Sequence, residues 1–117
     1  MPTPTAPPPG PAGRPRGYTL PVWVAAAARA ALAQLRGDPF CAEQPLQLEP
    51  AAPDRPAEAV PVVAAAPLGQ DRALAVARCD PGEGLDLTRG LVVWVEATWH
   101  PLAPEHGESW LWLEAGE

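Results

Sequence analysis

The chain predicts an α+β domain in which one alanine-rich helix packs on a sheet of four or five strands. Three observations carry this expectation. The stretch 19–36 has the punctuation of a helix, apolar residues from Leu46 onward recur with a period of two, and glycine- and proline-rich breaks divide that second region at turn-like intervals.

Residues 1–16 hold seven prolines and no apolar periodicity, so they read as a disordered, polyproline-like tail ahead of a domain spanning 17–117. The helix follows. Thr19 precedes it, Pro21 sits in its first turn, Arg36 falls at its end and Gly37 lies just beyond, an order that capping physics favours. Alanines on most of its faces permit close packing, and Leu32 and Leu35 supply part of an apolar stripe. The strand candidates are Leu46–Leu48, Val60–Ala65, Ala73–Cys79, Leu91–Trp99 and Ser109–Glu114. In the fourth, Leu91, Val93, Val95, Ala97 and Trp99 share the drier face, opposite Val92, Trp94, Glu96 and Thr98. In the fifth, Trp110 and Trp112 oppose Leu111 and Leu113, so both faces need cover. The proline-loaded stretch 50–61 reads as a long exposed loop within the domain.

Composition excludes several functions. At 117 residues the chain is at most one domain. A net charge of −6, with eight scattered arginines and no lysine, argues against nucleic acid, whose phosphates need clustered cations. The alanine-rich helix is too short to span a bilayer and carries Arg29, and the N-terminus lacks the order of a signal peptide, so the expected setting is the cytoplasm. Cys41 and Cys79 match no metal or redox spacing and read as small apolar residues in a reducing compartment. His100 and His106 lie among prolines without the i, i+4 spacing that brings two imidazoles to one ion, and the lone serine, Ser109, has no nucleophile-elbow context.

The most chemically loaded stretch is Asp80–Gly90, with three glycines, one proline, three carboxylates (Asp80, Glu83, Asp86) and Thr88 between two strand candidates. Its opening, Asp80-x-Gly82-x-Gly84, imitates the fingerprint of Rossmann-like methyltransferases. The continuation from Leu91 alternates like a strand, whereas that fingerprint must lead into a helix. The carboxylates would repel phosphate. They suit a cation better, but the spacing lacks the order of an EF-hand and its closing glutamate. A purely structural inter-strand connection remains open beside these readings.

Taken together, the segment Gly17 to Leu32 and, about fifty residues later, Cys79 to Gly90 resemble the N-terminal part of the cobalt-precorrin-5B C(1)-methyltransferases, the CbiD family. The family's Asp-x-Gly-Asp-Asp-Pro-Asp-x-Thr loop falls on Asp80 to Thr88. Asp80, Gly82, Asp86 and Thr88 agree, Glu83 replaces an aspartate, Gly84 and Leu85 stand where aspartate and proline are usual, and Leu20 to Val22 replaces a glycine-threonine-cysteine step. The resemblance implies transfer of a methyl group from S-adenosylmethionine to C1 of a cobalt-corrin precursor in the anaerobic route to cobalamin. Asp80, Gly82, Asp86 and Thr88 are the donor- or substrate-binding candidates, no resident metal is implied, and the catalytic residues are not singled out.

Family members are longer, so this chain is expected to be the incomplete N-terminal part of a larger enzyme, inactive by itself. Its five tryptophans would then be covered by a missing C-terminal domain or by a second copy. The alternative is a stand-alone, non-enzymatic interaction or cation-binding module whose acidic loop is structural.

Overall fold

Helix α1, Leu20–Leu35, buries Trp23, Ala26, Ala27, Ala30 and Ala31, a stripe at the i, i+3, i+4, i+7, i+8 spacing of one helix face. This arrangement comes from a computed structural model that describes residues 17–49, 51–82, 87–99 and 113–116. The alanines expected to allow close packing form most of this stripe; of the two leucines expected to contribute to it, Leu35 is partly buried against the core and Leu32 is exposed. Thr19 occupies the N-cap in extended conformation, but its hydroxyl makes no capping bond; its carbonyl instead accepts from Val22 N–H at 3.0 Å. Arg36 is the C-cap rather than a last-turn residue. Beyond it, Gly37 adopts φ +85°, its N–H donates to the Gln34 carbonyl at 3.0 Å, and Asp38 N–H reaches the Ala33 carbonyl at 2.9 Å. This is the Schellman closure that glycine favours at that position.

Among the described residues five strands follow, divided between two antiparallel sheets: β1 (Glu43–Leu46) pairs with β2 (Glu58–Pro61), and β3 (Ala64–Pro67), β4 (Arg72–Arg78) and β5 (Val92–Thr98) form a second sheet in that order. The predicted strand at Val60–Ala65 is cut in two. Pro61 has no N–H to extend the first ladder. Val62 N–H then donates to the carbonyl of Ala42, the residue just before β1, at 2.7 Å, and Val63 N–H to that of Val76 in β4 at 2.8 Å, so the chain passes from one sheet to the other within two residues. The first strand lies earlier than its expected Leu46–Leu48 position. Turns occupy much of 51–57, and β2 begins inside the proline-loaded stretch, where Val60 is wholly buried.

The third and fourth predicted strands match β4 and β5 to within a residue. Their register pairs Ala73 with Ala97, Ala75 with Val95 and Ala77 with Val93. Ala73, Ala75 and Ala77 have no exposed surface, and α1 lies across this face, so small side chains on both partners let helix and sheet backbones approach closely. The other face carries Leu74, Val76, Val92 and Trp94, with Trp94 66% exposed. Trp23 belongs to the core, Trp99 is exposed, and Trp110 and Trp112 lie outside the described residues. Of the fifth predicted strand only Leu113 and Glu114 are described, and neither is in a strand. Of the two cysteines read as small apolar residues, Cys79 is buried and Cys41 is exposed. No described helix is long and apolar enough to cross a membrane.

Candidate functional site

The acidic loop leaves the sheet where β4 ends and re-enters it at β5. Cys79 N–H donates to the Leu91 carbonyl at 2.8 Å and Gly90 N–H to the Cys79 carbonyl at 3.0 Å, extending the β4–β5 ladder beyond Arg78. Leu91 N–H meets the Thr88 carbonyl at 2.9 Å, and Gly90 takes φ +77° to make this tight re-entry.

Within the loop, Asp80 Oδ1 accepts from Gly82 N–H at 3.0 Å, closing an Asx-type turn, with Gly82 at φ +90°. Arg89 folds back over this turn: Nη1 lies 3.7 Å from Asp80 Oδ1, and Nη2 donates to the Gly82 carbonyl. Asp80 therefore holds the loop's own shape. Both contacts fall on Oδ1 of its carboxylate. Thr88 lies on the returning limb, partly buried, and Asp86 falls outside the described residues.

The N-terminal segment meets this loop directly. Gly17 adopts φ +68°, and a Cβ on it would stand 2.1 Å from the Pro81 carbonyl oxygen and 3.3 Å from Gly82 Cα. Only a residue without a side chain fits there. The following residue is also fixed on several sides. Tyr18 packs its ring edge-on against Trp23, with centroids 5.5 Å apart at 68°, receives the Trp23 indole N–H on its carbonyl at 3.1 Å, and donates its hydroxyl to Glu58 Oε1 at 2.8 Å. The start of α1, the loop and β2 are thus tied together although they are remote in sequence.

A cleft of about 1040 Å³ opens at this junction, its walls including Tyr18, Glu43, Glu58, Arg78, Asp80 and Arg89. Its size suits an organic ligand, since binding clefts commonly run from about 300 to 1,000 Å³. Of the four sequence-predicted residues, Asp80 lines the cleft, Gly82 forms the turn beside it and Thr88 closes the loop behind it. Sequence reasoning did not single out Tyr18, Glu58, Arg78 or Arg89. The only available signal for Arg78 and Arg89 was their adjacency to the loop; for Tyr18 and Glu58, forty residues apart, there was none. Among the described residues no group of three His, Cys, Asp or Glu side chains is placed to hold a metal ion.

Comparison with known proteins gives a consistent result. The model of the family described as CbiD matches residues 10–117. A cobalt-precorrin-5B C(1)-methyltransferase of Synechococcus sp. (strain CC9605) is 59% identical over 83 residues, covering 71% of this chain and 22% of the relative. That of Prochlorococcus marinus (strain MIT 9313) is 54% identical over 105 residues, covering 85% of this chain and 26% of the relative. A third, from Synechococcus elongatus (strain ATCC 33912 / PCC 7942 / FACHB-805), is 46% identical over 101 residues, with 86% and 26% covered. The chain spans about a quarter of the length of these curated relatives. No solved structure matches.

Proposed function

The chain belongs to the CbiD family, and from that premise we propose that it forms part of the site of an S-adenosylmethionine-dependent methyltransferase acting on C1 of a cobalt-corrin precursor in anaerobic cobalamin biosynthesis, in the cytoplasm. The observation that carries this reading is the contact of Gly17 with Pro81 and Gly82 at the edge of one cleft. The two segments by which the sequence resembles the family are the two that meet there.

A sulfonium donor brings an already activated methyl group, so the protein's task is to align donor and acceptor and keep water out. No covalent enzyme intermediate is needed. The cleft residues suit such work. Asp80 and Arg89 fix the loop's shape, Gly82 lets backbone approach a ligand closely, and Thr88 braces the return to β5. Asp86 is the loop carboxylate assigned to polar groups of donor or substrate.

The test is methyl transfer by the full-length gene product, with calorimetric titration of S-adenosylmethionine before and after Asp86→Ala. Loss of a hydrogen bond to a charged group predicts about a tenfold or greater fall in affinity or turnover. Unchanged affinity and turnover would remove Asp86 from the site, and a wild-type protein without transferase activity would remove the reading itself.

A further inference from the structure

The charges lining the cleft are mostly matched. Arg55 pairs with Glu49 at 3.2 Å, Arg89 with Asp80 at 3.7 Å, and Glu58 accepts the Tyr18 hydroxyl at 2.8 Å. Two charged residues of the lining stand apart. Among the described residues, Arg78, at the end of β4, makes only a long 3.4 Å bond to the Gly90 carbonyl, Glu43, at the start of β1, makes no side-chain bond, and neither has an ion-pair partner. Both are exposed.

One unmatched guanidinium and one unmatched carboxylate on the same cleft complement a ligand that carries both signs. A polycarboxylate could satisfy Arg78 but would meet repulsion from Glu43, whereas a simple cation would do the reverse. We propose that this cleft takes a ligand bearing an α-amino-acid zwitterion, with Arg78 holding its carboxylate and Glu43 its ammonium group. Resting on the methyl-donor reading, this assigns to the two residues the amino-acid end of the donor. Arg78 suits the role because its planar fork can engage a carboxylate with two parallel N–H donors, which a lysine cannot do.

The experiment compares S-adenosylhomocysteine with 5′-methylthioadenosine, which keeps the adenosyl thioether but lacks the amino-acid end. Calorimetric titration of the full-length gene product should show the former binding at least about tenfold tighter. Arg78→Gln and Glu43→Gln should each remove most of that preference while leaving affinity for 5′-methylthioadenosine unchanged. The second ligand therefore also checks that the variants are folded. Arg78→Lys should recover part of the preference. If both glutamine variants keep the wild-type preference, or if the wild type has none, the assignment is overturned and the donor reading stands. A wild type that binds neither compound overturns both.

Discussion

The two faces of the β3–β4–β5 sheet differ in polarity and answer to different packing constraints. On the inner face Ala73, Ala75 and Ala77 lie fully buried beneath α1, and size is critical because each added methylene separates helix from sheet. On the outer face Leu74, Val76, Val92 and Trp94 are only partly covered, with Arg72 and Glu96 beside them. The inner face is wholly apolar, whereas the outer one mixes apolar and charged residues. Only the inner one has another backbone within packing distance, so a change on the inner face should cost more than one on the outer face.

The largest test of that contrast sets Ala75→Leu against Trp94→Ser. Ala75→Leu should cost about 1–3 kcal/mol by overpacking, lowering the melting temperature by about 4–8 °C per kcal/mol in a domain of this size. Trp94→Ser should cost less, about 0.2–1 kcal/mol, chiefly through its cross-strand contact with Val76. Equal losses by thermal denaturation would mean that the outer face is packed as tightly as the inner one.

An intermediate effect comes from the two glycines flanking the helix. Gly17 and Gly37 both take positive φ, but a Cβ at Gly37 meets nothing within 4 Å, whereas one at Gly17 runs into the Pro81 carbonyl. Gly37→Ala should therefore cost only the left-handed strain, about 1–2 kcal/mol. Gly17→Ala adds displacement of the acidic loop, read as shifts in the amide resonances of Gly82 and Gly90 that Gly37→Ala leaves in place. If the two variants shift those amides alike, the contact does not position the loop.

The smallest effect is expected at the outer-face pair, where Arg72 Nε and Glu96 Oε2 lie 2.5 Å apart. The hydrogen bond from Arg72, then its charge, holds the Glu96 carboxyl below its usual range, and the same partner raises Arg72. Because the folded carboxyl is the more acidic, its contribution is present above the unfolded carboxylate's titration and fades as pH falls through the folded one. Both groups are solvent-exposed, so Glu96→Gln should change neutral-pH stability near the limit of detection, and the difference should vanish in acid. A difference that persists in strong acid would count against the ion pair as its source.

Much of this architecture was legible from residue pattern. β4 and β5 were found to within a residue because alternation over seven positions and the flanking turn chemistry agree. The helix is legible because Pro21 and Gly37 bracket it, and its alanines do pack closely as expected; Leu32 does not join them, because alanine, weakly hydrophobic, gives little periodic signal to fix which face is buried. The break at Pro61 to Val63 was missed since a run of apolar residues does not say which sheet each N–H will serve. The acidic loop stood out by composition, and Asp80, Gly82 and Thr88 were recognised through the family motif. The partners that shape the site, Tyr18 with Glu58 and Gly17 with Pro81, were invisible because each contact joins residues tens of positions apart.

By itself the sequence determined the class of fold, the positions of the helix and the two long strands, the loop that carries polar chemistry and the family to which the chain belongs. All of these follow from local backbone preference, side-chain period and motif, which are written along the chain. Only the tertiary structure decided that the described strands divide into two sheets, that the loop's aspartate closes its own turn, and that Arg78 and Glu43 line one cleft with no ion-pair partner among the described residues. Each of these depends on which distant groups find one another, and charge and hydrogen-bond matching are properties of that pairing rather than of either partner.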